Sequence, residues 1–395
     1  MNDIKEVSAK TWLGMVVLSL STFTIVTAEL APIGLLTPMA MGLQQSEALI
    51  GLTVTMYAWV GAFSALASSI LLGSVSKKKM LLMLMLVMLV ANIACALSPS
   101  YGWLIVARTI GALAHGGFWA MIGVVAVGMV PASYIGVATS IVFGGVSAAS
   151  VFGVPMANAI GLYLGWRLAF WLIAMLSMVT LIGMAILIPD ISSKNNIGVD
   201  VLKKVLKNKT LLNIYAVTLL AITAHFCAFT FIEPYLQNMA TLEVYLIPIL
   251  LLCFGVAGLL GNVLTGWLID RYLKAILFVA IMLISVILLG LGFYATALTV
   301  PAVFVLIMLW GVSVSGLFVG LQTWVLRLAH KDAFPASALY VSVFNMAVGL
   351  GALLGAWLLA GYGLNVLMGA AGLIVIMALF IVLVTPETAT LVEKA

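Results

Sequence analysis

The feature that most constrains this chain is a succession of long, almost uncharged apolar runs separated by short polar breaks. They lie near residues 12 to 41, 48 to 73, 80 to 98, 102 to 130, 135 to 162 and 167 to 189, then 210 to 239, 244 to 269, 275 to 297, 300 to 329, 335 to 361 and 363 to 385. Each is at least about as long as the roughly 20 residues with which an α-helix crosses about 30 Å of hydrocarbon. The pattern predicts twelve transmembrane helices. A soluble fold is excluded by composition, because 65% of the residues are apolar and 7% are charged, where soluble domains carry about 25% charged residues. The opening MNDIKEVSAK lacks the short apolar core and cleavage site of a signal peptide, so the first run is expected to stay as a span.

Charge supplies the topology. Lys5, Lys10, Lys77 to Lys79, the linker at 190 to 209 with Lys194, Lys203, Lys204, Lys207 and Lys209, then Arg271, Lys274, Arg327, Lys331 and Lys394 all fall on one side of a twelve-span path. Arg167 is the exception on the other side. The positive-inside rule then puts both termini in the cytoplasm, and we expect a multi-pass membrane protein. The net charge of +5 does not indicate nucleic acid, since the lysines occupy short breaks rather than one face. Cys95, Cys227 and Cys253 are odd in number, lie in apolar runs and lack C-x-x-C spacing, so neither disulfides nor a zinc site are expected.

The linker is the long polar stretch that divides the spans six and six, giving halves at 1 to 189 and 210 to 395. Internal repetition supports this. Gly111, Gly116 and Phe118 recur as Gly311, Gly316 and Phe318 at an offset of 200. Gly73 is matched by Gly266, Glu29 with Pro32 by Glu233 with Pro234, and the glycines of span five (Gly144, Gly145, Gly153) by those of span eleven (Gly349, Gly351, Gly355). Two related six-helix halves are an architecture of secondary transporters.

The segments TAELAPIGLL (27 to 36), MYAW (56 to 59), ARTIGALAHGGFW (107 to 119), VFGVPMANAIGLYLGWRLAF (151 to 170), TAHFCAFTFIEPYLQNMA (223 to 240) and FNMAVGLGALLG (344 to 355) resemble the drug:proton antiporter branch of the major facilitator superfamily. Within it the chain is most similar to bacterial sugar-efflux transporters. The resemblance implies proton-coupled efflux of small polar solutes, sugars such as arabinose or thiogalactosides, by a monomer. The alternative within the same branch is export of purine nucleosides or chloramphenicol-like drugs. One departure stands out: where the family places Asp-Arg after span two, Gly73 and Val75 lead here into Lys77, Lys78 and Lys79, while the second-half copy keeps Asp270 and Arg271.

A charged side chain deep in a bilayer costs a few kcal/mol, so embedded ionisable groups are functional candidates. These are Glu29, Arg108, His115, His225 and Glu233. Glu29 lies roughly 25 Å from the cytoplasmic side and Arg108 roughly 9 Å below the outer side, which are matching depths. If spans one and four are neighbours, as the resemblance implies, Arg108 holds Glu29 ionised; the alternatives are a permanent structural pair or an arginine reaching outward. His115 and Trp119 follow Arg108 on one helical stripe, and this group is the candidate proton-coupling centre. Histidine both donates and accepts, and titrates near physiological pH, so His115 and His225 serve proton relay or hydroxyl recognition, unless each is simply bonded to a backbone carbonyl. Glu233 shares a face with Phe226, Thr230 and Gln237; it either contacts substrate or stabilises the kink at Pro234. Tyr57, Trp59, Phe118, Trp119, Gln322 and Asn345 are candidate rings and amides for a cavity.

No H-E-x-x-H, G-x-S-x-G or Walker lysine loop occurs. The expectation is a transporter that is not an enzyme, has no cofactor or metal, and has protons, a small solute and the lipid bilayer as partners.

Overall fold

The computed structural model describes residues 7–71, 76–131, 134–190, 205–329 and 333–386. Gly73, Val75, most of the linker and both chain ends lie outside these residues. The described chain is helical without a β-strand. Its elements are α1 (Ala9–Gly34), α2 (Leu36–Leu43), α3 (Glu47–Leu71), α4 (Lys77–Ala96), α5 (Tyr101–Gly128), α6 (Ile135–Leu164) and α7 (Trp166–Leu187). They continue as α8 (Lys209–Phe229), α9 (Ile232–Gln237), α10 (Ile247–Tyr294), α11 (Val300–Ala329), α12 (Ala333–Tyr362) and α13 (Leu364–Val384).

Eleven stretches among the described residues are long and apolar enough to cross a membrane. The sequence pattern gives twelve, and the difference has one source: Val244–Ala297 runs on as a single stretch of 54 residues. It has more than twice the roughly 20 residues of one crossing and consists of two helices that meet at a kink. It is broken at Tyr272, whose φ of −131° and ψ of 32° are not helical. The polar Asp270–Lys274 segment therefore forms a kink where the pattern suggests a loop.

Helix ends follow local chemistry. Ser8, Ser76 and Ser100 accept hydrogen bonds from the amides of Thr11, Lys79 and Trp103 at the starts of α1, α4 and α5, and Asn208 accepts from Thr210 and Leu211 at α8. Such caps satisfy donors that have no partner inside the helix. Gly165 and Gly363, with φ of +89° and +84°, form the turns between α6 and α7 and between α12 and α13, a backbone region that glycine enters without Cβ strain. At two further helix ends Lys78 donates to Ala185 O (2.8 Å), and Lys274 to Leu383 O (3.3 Å) and Thr385 O (2.9 Å). A cation at a helix C-terminus satisfies its last carbonyls and complements its dipole.

Contacts divide the chain into two compact units, Met1–Gln45 with Met56–Asn196, and Ser46–Thr55 with Ile197–Ala395. In the first, α1 packs on α5, α6 and α7, and α4 on α5 and α7. In the second, α8 packs on α12 and α13, and α10 on α11 and α13. The start of α3 belongs to the second unit, where Thr55 donates to Gly349 O at 3.1 Å and the Phe231 ring occupies the space a side chain at Gly51 would need. The repeated glycines have unequal roles. Gly116 lets α5 touch the backbone of α3 at Gly61, whereas in the second unit Gly311 rather than Gly316 meets backbone, at the Phe254 carbonyl.

The helix breaks give the register of the repeat near the site. α1 and α2 part at Leu35 (φ −120°, ψ 9°), and α8 and α9 part near Phe231 (φ −107°, ψ 19°). Counting back six residues from each leads to Glu29 and to His225; Glu233 follows its break and stands opposite Thr37. The expected correspondence of Glu29 with Glu233 is thereby corrected, because matching residue types across a changed spacing selected the wrong partner. Pro234 likewise corresponds to Pro38 rather than to Pro32.

Candidate functional site

In the first unit the polar side chains assemble around a proline. Pro32 lies inside α1 and has no amide hydrogen, so the carbonyl of Ala28 loses its helical donor. Arg108 on α5 supplies one: Nη1 donates to Ala28 O at 2.5 Å and Nη2 to Glu29 O at 3.1 Å. Its guanidinium also lies 4.1 Å over the Tyr57 ring, a cation–π contact. A second side chain, Asn158 of α6, donates to Gly34 O at 2.8 Å. The bend in α1 is thus held from two neighbouring helices.

Arg108 is thereby fixed beside Glu29. It grips the main chain at Glu29 instead of chelating the carboxylate, and Glu29 Oε2 faces His115 Nε2 at 3.7 Å. That contact is an ion pair when the imidazole carries a proton. Both residues are well covered, with side-chain exposures of 17% for Glu29 and 5% for His115. Tyr57 and His115 meet edge to face at 5.2 Å, His115 and Trp119 at 6.2 Å, and Trp119 stacks on Phe143 at 6.1 Å. Phe118 is fully buried against Trp119. The Tyr57 hydroxyl, Arg108 Nε and His115 Nδ1 are buried without a hydrogen-bond partner. A buried polar group left unpaired costs about 1–3 kcal/mol, so three in one cluster single this place out as a candidate site.

The second unit is built differently. His225 on α8 is buried among rings: Phe229 stacks on it at 5.1 Å and Phe254 lies parallel at 6.4 Å. Phe226, Trp310 and Phe318 meet it edge-on at 4.9, 5.6 and 5.7 Å. No backbone carbonyl accepts from His225 Nδ1, and Trp310 Nε1 and Thr230 Oγ1 also lack partners.

The other expected residues of this unit are engaged locally. Glu233 is fully buried and accepts a short hydrogen bond from Gln237. Gln322 Nε2 donates to Ser337 Oγ at 2.9 Å, and Asn345 Nδ2 to Val341 O at 2.9 Å. Sequence reasoning missed Phe143 in the first unit and Phe229, Phe254 and Trp310 in the second. Aromatic residues are common in such spans, and only packing distinguishes those around a histidine. Among the described residues, no group of three His, Cys, Asp or Glu side chains is placed to hold a metal ion.

A sequence profile described as Major Facilitator Superfamily matches residues 12–335. A crystal structure of a point mutant of the nucleoside transporter NupG superposes with a TM-score of 0.77 at 13% identity, covering 94% of this chain and 99% of that one. A bacterial homolog of the human lysosomal transporter Spinster, in an inward-facing and unoccupied conformation, gives 0.74 at 12% identity, with 94% and 96% covered. At these identities the likeness is one of fold.

Proposed function

Because the chain belongs to the major facilitator superfamily, we propose that it is a proton-coupled exporter of small polar solutes of the sugar class, working by alternating access. The reading takes the long Val244–Ala297 stretch as two crossings joined at Tyr272, which makes twelve spans in two six-helix halves. Both termini then face the cytoplasm of a bacterial inner membrane, and the functional unit is a monomer.

The observation that carries this reading is the Glu29–His115 contact, set deep in the spans beside a guanidinium committed to the backbone. A carboxylate in a medium of low dielectric needs compensating charge or a proton. Arg108, fixed by two carbonyls, supplies a stationary positive charge, while His115 offers a nitrogen to and from which a proton moves. Loading and unloading that proton changes the net charge of the cluster. Coupling follows if the two charge states favour different conformations, since a ligand shifts an equilibrium only by its differential affinity for the two states. Trp119 and Phe143 place a ring surface beside the same cluster, so a bound solute senses whether the acid is charged. Within the second unit, His225, Glu233 and the rings around His225 are a separate set of solute contacts.

Purified protein in liposomes tests the proposal. Arabinose or a thiogalactoside should accumulate against its gradient when a proton gradient is imposed, and a protonophore should abolish that accumulation. Flux that ignores the proton gradient would identify a facilitator or channel. Chemical turnover of the solute would identify an enzyme.

A further inference from the structure

The ring cluster around His225 is more than packing requires. If position 225 served only to fill space, a hydrocarbon ring would fill it without leaving a nitrogen unpaired. Instead His225 Nδ1 and Trp310 Nε1 are both buried and unpartnered, on rings whose centroids are 5.6 Å apart. Trp Nε1 only donates, whereas a histidine nitrogen donates or accepts. Two amides of this unit each give one N–H locally, Gln322 to Ser337 Oγ and Asn345 to Val341 O. Directly around His225 stand the rings of Phe226, Phe229, Phe254, Trp310 and Phe318, whose faces suit a flat ring better than a bare polyol. His225, Phe229 and Phe254 are nearly parallel, with interplanar angles of 20°, 25° and 5° among the three pairs. Phe254, Phe318 and Phe344 are only partly covered, so the cluster has an approachable side.

We propose that the His225–Trp310 cluster is a recognition site for a planar ring bearing a hydrogen-bond acceptor, attached to the sugar of the transported solute. The acceptor takes the Trp310 Nε1 hydrogen, and His225 Nδ1 pairs with a neighbouring polar atom of the same ring system. The ring lies parallel to the Phe229 and Phe254 set, where offset stacking is favourable. This inference rests on the transporter reading and sharpens its substrate class. An aryl glycoside and a nucleoside both present this chemistry.

The test is binding calorimetry on full-length protein in detergent with p-nitrophenyl galactoside, inosine and galactose as probes. Wild type should bind at least one ring-bearing probe tenfold or more tightly than galactose. That preference should fall below twofold in both His225→Phe and Trp310→Phe, which keep the ring and remove the nitrogen. A preference for the glycoside identifies an aglycone site, and one for inosine a nucleobase site; either supports the proposal. Equal affinity of wild type for all three probes overturns it, as does a preference that survives in folded variants of both kinds. The wild-type ratio alone decides the matter if the variants fail to fold. Because calorimetry needs no gradient, failure here is distinct from failure of proton-driven export in liposomes.

Discussion

The two units treat a buried polar side chain in opposite ways. At equivalent distances before a helix break, the first places Glu29 and the second His225. Around Glu29 the neighbours are a histidine, an arginine and a tyrosine hydroxyl; around His225 they are almost all hydrocarbon rings. One framework thus supports a site in which charge can change and one in which shape and ring faces dominate. The difference suggests a division of labour, with proton coupling in the first unit and solute recognition weighted to the second.

Substitutions can break or sharpen this contrast. The largest effect on stability is expected for Trp310→Ala, because Trp310 is fully buried in the ring cluster. Large-to-small changes of this kind cost about 3–5 kcal/mol, read as a lower unfolding midpoint in detergent. Arg108→Ala should cost somewhat less, about 3 kcal/mol, through two lost charge-assisted hydrogen bonds. It should also remove gradient-driven export even at saturating solute, whereas Trp310→Ala should weaken solute binding and keep export at saturating solute. Equal loss of export in both variants at matched folded fractions would erase the proposed division. A smaller change, about 1 kcal/mol, is expected for Asn158→Leu, which removes the hydrogen bond to Gly34 O; a thermal melt in detergent checks it. The smallest belongs to Asp270→Asn. Its 2.7 Å pair with Arg327 is largely exposed, at 93% for the aspartate side chain, and such pairs contribute about 0–1 kcal/mol. A shift in the melting midpoint beyond that range would show that the Tyr272 kink depends on this pair.

The multi-pass helical character was legible in the sequence because a bilayer imposes length and apolarity on every span. The embedded acids and histidines were legible too, since their cost makes them rare. Three things were hidden. The two helices on either side of the polar break meet directly at Tyr272 without a longer loop, and polarity alone does not reveal that. The bond from Arg108 to Ala28 O depends on Pro32 freeing a carbonyl, a backbone event with no signature in Arg108 itself. The correspondence of Glu29 with His225 is concealed by spacing: the glycines of spans four and ten repeat at an offset of 200, but the breaks repeat at 196. Glu233 then looked like the match by residue type.

The most direct test of the coupling centre compares two rates in one variant. In Glu29→Gln vesicles the account predicts that proton-driven efflux falls at least 100-fold while gradient-free counterflow of the same solute persists, because the amide cannot exchange a proton with His115. Efflux that keeps its normal dependence on the proton gradient in this variant would contradict the account and move the coupling centre away from Glu29.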